Sequence, residues 1–331
     1  MTLAAVSLAS GCDGPTEPGE LKARQILTVL YRELDGTNWL SNDKWLTRAP
    51  VSQWYGVEVD AVGNVIGLHL QRNGLAGELP RELGSLRTLE VLSLDAKEPV
   101  ITPLGMTGDT RVLTGSIPPE LGNLRFLRYL NLKGNRLVGA IPPELGNIRT
   151  LRGLNLDGNG LEGSIPPDLG KLYSLYRLSL NGNRLEGTIP PELGNLVSLR
   201  YLELGGNALT GSIPSRLGKL QRLDLLDLGG NALAGLIPPE LGNLRKLNEL
   251  ELGLNGLRGP VPPELGNLEN LQYLSLWGNE LSGPLPLELI GLPLVRFVWA
   301  RTDLCAPPDD DFQQWLEWIY THHGGPVCPS G

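Results

Sequence analysis

Leucine returns at fixed places in a 24-residue cycle along most of this chain. From Leu127 to Thr150 it reads LRYLNLKGNRLVGAIPPELGNIRT, and the same spacing recurs at 151–174, 175–198, 199–222, 223–246 and 247–270. A fixed period of that length marks a solenoid, one supersecondary unit stacked on itself. Within the unit, apolar Leu127, Leu130 and Leu132 stand among Arg128, Tyr129 and Asn131, which predicts a short strand with one buried and one wet face. Gly139 permits a tight bend and Ile141 is a core position. Pro142-Pro143 then excludes a regular helix or central strand before Glu144, Leu145 and Gly146. No unit can bury its leucine face alone, so the core is expected to form between stacked neighbours.

Asn135 follows the strand, and its equivalents are Asn73, Asn159, Asn183, Asn207, Asn231, Asn255 and Asn279. A side-chain amide there can donate and accept to backbone groups of its own and the neighbouring coil, which predicts a structural asparagine ladder through the stack.

The ends of the chain follow other patterns. Leu21, Ala23, Ile26, Leu27, Leu30 and Leu34 fall at helical spacing, and Asp35-Gly36 stops that helix. Trp39, Trp45 and Trp54 come next and are read as core, followed by a hairpin with Gly63-Asn64 in its turn. The second repeat, from Leu89, carries an insertion at about 96–112 and lacks its asparagine; a binding loop and a neutral surface loop are both open readings. A degenerate tenth repeat places Phe297 and Trp299 where leucines belong and Thr302 where the asparagine belongs. Phe312, Trp315, Leu316 and Ile319 then predict a closing helix, with Asp309 to Asp311 at its start.

The string LxxLxLxxNxLxGxIPxxLGxLxx, over about 65–304, resembles the plant-type leucine-rich repeat of plant receptor kinases, also found in bacterial exported proteins. The resemblance implies an α/β repeat solenoid: a right-handed superhelix with a parallel sheet on the concave face, short second strands from the xIP segment, 3₁₀ turns on the convex side, and helical caps. Trp54, Gly56, Val57 and Asp60 match the signature of its N-terminal cap. The cysteine pair usual in that cap is missing, with Val59 in one of the places, so tryptophan packing is expected to hold it. The chain divides into a signal-like segment and linker at 1–19, an N-terminal cap at 20–64, about ten repeats at 65–304 and a C-terminal cap at 305–331.

Composition refines this picture. The 43 glycines and 27 prolines sit at fixed phases and are turn chemistry rather than disorder. A net charge of −8 favours solubility and disfavours nucleic acid. Cys305 and Cys328 are placed to close a disulfide loop worth about 3 kcal/mol in an oxidising compartment. Cys12 follows Leu8-Ala9-Ser10-Gly11, which resembles a bacterial lipobox and implies lipidation of Cys12; the other reading is an ordinary signal remnant with an unused thiol. No run approaches the length of a membrane-spanning helix.

Chemistry is sparse. His69 lies on the first repeat's strand, and His322 and His323 lie in the C-terminal tail without ligand-spaced partners, so neither metal nor catalytic residues are assigned. Phosphate-loop, dinucleotide and kinase strings are absent, and no cofactor is implied. No Asn-x-Ser/Thr sequon occurs, which suits a bacterial exported protein.

Variation concentrates between the strand leucines. One outward row reads Tyr129, Gly153, Arg177, Tyr201, Leu225, Glu249, Tyr273; the next reads Asn131, Asn155, Ser179, Glu203, Asp227, Glu251, Ser275; a third, at the strand end, runs from Lys133 through Asp157, Asn181, Gly205, Gly229 and Gly253 to Trp277. Arg128, Lys133, Arg152, Arg177 and Arg200 make the earlier repeats basic, whereas Glu203, Asp224, Asp227, Glu249 and Glu251 make the later ones acidic. The candidate binding residues are therefore Tyr129, Arg152, Arg177, Tyr201, Glu203, Asp227, Glu249, Glu251, Tyr273 and Trp277. They predict an acidic groove edged by aromatics that accepts a basic or extended peptide. The bland reading is that charged rows only keep the solenoid soluble. The function expected is a non-catalytic protein- or peptide-binding module outside a bacterial cell, as an envelope lipoprotein or a secreted protein. The alternative is an envelope structural or adhesive protein that binds surface polysaccharide.

Overall fold

The computed structural model describes residues 18–96, 100–102, 105–107 and 111–329. Cys12 and its lipobox-like segment lie outside those residues, as does much of the 96–112 insertion, in which Val100–Thr102 pairs antiparallel with Gly105–Thr107.

Each leucine-flanked segment is a short strand, such as Gly153–Asn155 or Tyr201–Glu203, paired in parallel and in register with the equivalent strand of the next coil. The strands follow sequence order in one twelve-stranded sheet among the described residues, and only the first pair, Val57–Val59 with Val65–His69, is antiparallel. Leucines on the inner face, such as Leu154, Leu178, Leu202 and Leu226, are fully buried. Removing one such side chain from water is worth about 1.5–3 kcal/mol. One continuous hydrophobic core runs the length of the stack.

On the opposite side the Pro-Glu-Leu-Gly-Asn segments form 3₁₀ turns, as at Pro143–Asn147. Their glycines serve close packing: a Cβ at Gly146 would lie 2.4 Å from the Asp168 carbonyl oxygen of the next coil. A second sheet of eight short parallel strands lies between the two sides. Its strands end before the Ile-Pro step expected to form them; Gly160–Ser164, for instance, stops ahead of Ile165. A proline has no N–H for the ladder, so pairing moves to the residues before it.

Both ends are closed. Helix α1 (Pro18–Glu33) covers the first coil, and Tyr31, Trp39, Trp45 and Trp54 pack ring against ring at 4.9–5.6 Å. The three indole N–H groups donate to Leu34, Tyr55 and Ala49 carbonyls. At the other end, helix α2 (Asp310–Trp318) is capped by Asp309, whose carboxylate accepts from the Phe312 N–H at 3.0 Å. Cys305 and Cys328 are joined in a disulfide. His322 and His323, read from sequence as a tail, belong to the last strand of the main sheet, Thr321–His323. The Arg296–Val298 strand would otherwise leave an unpaired edge, and the returning chain covers it.

Candidate functional site

In-register pairing turns the outward rows into columns. Tyr129, Gly153, Arg177, Tyr201, Leu225, Glu249 and Tyr273 stand side by side, and so do Asn131, Asn155, Ser179, Glu203, Asp227, Glu251 and Ser275.

Where the basic and acidic halves meet, the charges cancel. Arg177 donates to Glu203 and to Ser179, each at 2.8 Å, and its guanidinium lies 5.2 Å from the Tyr201 ring centroid. Ser179 donates to the second Glu203 oxygen. Arg200 pairs with Asp224 and sits 5.6 Å from the Tyr176 ring, which packs on Tyr201. Sequence placed Arg177 and Arg200 in a basic half and Glu203 and Asp224 in an acidic one; stacking puts them one coil apart, within bonding reach. Glu203, at 9% exposure, is part of this internal network.

Beyond that border the third row becomes glycine. Asp227 leans over Gly205, and Glu251 over Gly229: an added Cβ would lie 2.7 Å from Asp227 Oδ1 in the first case and 2.9 Å from Glu251 Cγ in the second. Asp227 accepts from the Gly229 N–H at 3.0 Å and from Asn181 Nδ2 at 3.1 Å. Glu251 accepts from the Gly253 N–H at 2.7 Å and from the Tyr273 hydroxyl at 2.6 Å. Trp277 lies against Gly253, where a Cβ would fall 2.5 Å from its Cδ1. The result is an open trough of about 440 Å³ with a glycine floor, two carboxylates and an indole wall.

Burial raises Asp227 above the usual carboxylate range, and Glu251 and Glu203 push the same way against the Gly229 and Asn181 hydrogen bonds. Burial likewise raises Asp157 to about 6, with Glu203 adding to it. Tyr273 is also raised, by burial and by its bond to Glu251.

The trough thus gathers Asp227, Glu251 and Trp277, with Tyr273 beside them. Glu249 is exposed on its strand between Leu225 and Tyr273, whereas exposed Tyr129 and Arg152 belong to coils nearer the N-terminus. One trough residue was missed from sequence. Leu254 is 47% exposed and has φ 54°, at the phase where Gly182, Gly206, Gly230 and Gly278 occupy the left-handed region. Its signal was a leucine in the place of glycine just before Asn255.

Behind these columns, Asn159 illustrates the asparagine geometry: Nδ2 donates to the Leu132 and Leu156 carbonyls, and Oδ1 accepts from the Leu137 N–H at 3.1 Å. Asn183, Asn207, Asn231, Asn255 and Asn279 repeat the pattern. Asn135 spans the insertion by bonding to Leu94 and Leu113, and Asn73 ties the first coil to Ser41 of the N-terminal cap.

Among the described residues no cluster of His, Cys, Asp or Glu is placed to hold a metal, and no helix is long and apolar enough to cross a membrane. Family models of a leucine-rich repeat region and of the leucine-rich repeat match residues 184–289, and 126–148 with 150–172, respectively. The chain is a plant-type leucine-rich-repeat protein. Its solenoid superposes on the ectodomain of the Arabidopsis thaliana receptor kinase GASSHO1/SCHENGEN3, solved with CASPARIAN STRIP INTEGRITY FACTOR 2, with TM-score 0.79 and 33% identity over 88% of this chain and 34% of that one. For the Arabidopsis receptor kinase HAESA, solved with an extended IDA peptide hormone, the TM-score is 0.76 at 30% identity, covering 94% of this chain and 50% of that one. This leucine-rich-repeat chain therefore spans a third to a half of those receptor chains. A plant ice-binding protein gives TM-score 0.74 at 27% identity, covering 95% of this chain and 99% of that one. No curated protein sequence matches the chain.

Proposed function

We propose that this leucine-rich-repeat protein is a non-catalytic recognition module on the outside of a bacterial cell, binding a protein or peptide across its concave face. A basic side chain of the ligand sits in the trough between Asp227 and Glu251. The observation that carries this reading is the trough itself. Its carboxylates lean over glycines instead of over side chains of the preceding coil, and one face of the site is an indole, which attracts cations. Arg301 already lies 5.8 Å from the Trp277 ring, a cation within the chain at the same indole. The peptide-bound state of the plant receptors supports a peptide ligand by analogy of fold. The Cys305–Cys328 disulfide supports an oxidising, exported setting. Anchoring through a lipidated Cys12, or secretion, completes the proposal, and no cofactor is needed.

The test uses an array of extended peptides that differ only in carrying Lys or Arg, Gln, or Glu at one central position. The full chain is expected to retain the basic members, and Asp227→Asn/Glu251→Gln to lose about tenfold in affinity for them. Equal retention of all peptides, or an unaffected double variant, refutes the reading.

A further inference from the structure

The N-terminal half carries a second surface, separate from the trough. Four residues ahead of three neighbouring strands, Val91–Ser93, Tyr129–Asn131 and Gly153–Asn155, stand Arg87, Arg125 and Arg149. Strand spacing sets the steps of this column at about 4.8 Å. All three arginines are exposed, and among the described residues no carboxylate lies within ion-pair reach of them. Later coils supply the contrast at the same phase, where Arg245 stands 3.8 Å from Glu269 of the next coil. Arg152, nearby, is also exposed and has no ion-pair partner among the described residues, whereas Arg128 pairs with Glu90 at 3.3 Å. Like charges stacked at this spacing destabilise a sheet margin, and no acid of the described fold offsets them.

Aromatic rings share this surface. Phe126, Tyr129 and Tyr173 are 59%, 48% and 50% exposed. Tyr129 leans onto the next coil where Gly153 has no side chain; a Cβ there would come 3.1 Å from its Cδ1. The Arg149 guanidinium lies 5.8 Å from the Tyr173 ring centroid. Arg87, Asn123, Arg125 and Phe126 line a depression of about 180 Å³.

We propose that this margin binds a linear acidic polysaccharide, its uronate carboxylates on the arginine column and its sugar faces on Phe126, Tyr129 and Tyr173. The guanidinium fork matches a carboxylate in two parallel hydrogen bonds. A flat (1→4)-linked uronate chain turns neighbouring carboxylates to opposite sides, so its same-side carboxylates recur every second ring, about two coil spacings, and meet Arg87 and Arg149. An extended acidic peptide repeats same-side groups at about 6.6 Å and falls out of step. Nucleic acid calls for a longer basic stripe than a chain of net charge −8 offers. A neutral glycan would leave the arginines unused.

The test is affinity electrophoresis of the full chain through gels containing alginate, esterified alginate, dextran, polyglutamate or single-stranded DNA. Alginate is expected to retard the chain, less so as salt rises, and the other polymers to do so far less. Arg87→Gln/Arg125→Gln/Arg149→Gln is expected to weaken retention about tenfold or more while the melting temperature stays the same or rises slightly as the like-charge repulsion is relieved. Phe126→Ala, at constant charge, is expected to weaken it several-fold, which simple charge attraction does not predict. Asp227→Asn/Glu251→Gln is expected to bind alginate like the unaltered chain, so this site and the trough succeed or fail separately. No retention by the unaltered chain, full retention by the arginine variant, or equal retention by polyglutamate, DNA or the ester overturns the proposal.

Discussion

Asn181 donates to Asp227 across a whole intervening coil, Nδ2 to Oδ2 at 3.1 Å, while its own Oδ1 accepts from the Gly205 N–H that lies between them. The bridge exists because Gly205 has no side chain; a Cβ would stand 2.7 Å from Asp227 Oδ1. The backbone at Gly205 is outside the left-handed region, so alanine meets no conformational penalty there. Gly205→Ala is therefore expected to act only by displacing Asp227, costing about 1 kcal/mol of stability for the lost hydrogen bond. It should also reduce retention of basic peptides. Urea unfolding reads the first effect and the peptide array the second; an unchanged midpoint with unchanged binding would show that Asp227 swings aside freely.

The buried carboxylates set a pH dependence. Asp157 titrates at about 6 in the fold against an ordinary 3.8, and Asp227 is raised in the same direction. A raised carboxyl binds its proton more tightly when folded than when unfolded. Its contribution is therefore favourable at low pH and is lost as pH rises through the window from about 4 to about 6. The rise at Asp157 corresponds to about 3 kcal/mol in full burial, and partial exposure screens this to about 1 kcal/mol. Asp157→Asn keeps an acceptor for the Asn181 N–H, which the carboxylate meets at 2.8 Å. It is expected to raise stability at pH 7 by about that amount and to flatten the slope between pH 4.5 and 7 in urea titrations.

Asn183 satisfies three backbone groups at once: the Leu156 and Leu180 carbonyls at 3.0 Å each, and the Leu161 N–H at 3.1 Å. It is 8% exposed, so water does not readily replace it. Asn183→Ala is expected to cost about 1–3 kcal/mol through those orphaned groups. Asn183→Asp, which keeps the acceptor but loses both donated bonds and adds a buried charge, should cost at least as much. Because each coil touches only its neighbours, hydrogen exchange should quicken first in the coils of residues 151–198. Uniform exchange along the stack would contradict this.

The solenoid was legible because its signal is local. Leu130 and Leu132 declare a strand within three residues, and Pro142-Pro143 confines the segment that follows to a short 3₁₀ turn. The candidate site depends on neighbours far apart in sequence. Writing the repeats in aligned rows shows that Arg177 and Glu203 occupy adjacent coils, but not that the guanidinium turns sideways onto Ser179 and Glu203. The same rows contain Gly205, Gly229 and Gly253, whose meaning appears only when Asp227, Glu251 and Trp277 are seen lying in the space they leave. His322 and His323 were read as a tail because nothing local in Thr321–His323 announces a strand; its partner, Arg296–Val298, supplies the reason.

Leu254 separates stability from recognition. Its φ of 54° is the conformation that the regular repeats give to glycine and that the terminal ones give to Arg72 and Arg301. A leucine held there costs about 1–2 kcal/mol relative to an unstrained residue. Its side chain is only half covered, with Cδ2 close enough to Gly278 that a Cβ there would lie 3.0 Å away. Leu254→Gly removes the strain and the partial burial together, so stability is expected to stay within about 1 kcal/mol of the unaltered chain. Leu250→Ala, at a fully buried strand position, should instead cost about 2–5 kcal/mol. If Leu254 is retained for contact with a ligand at the mouth of the trough, Leu254→Gly should weaken peptide binding several-fold while melting normally. A variant that binds normally but melts like a core truncation would reassign the strained leucine to packing.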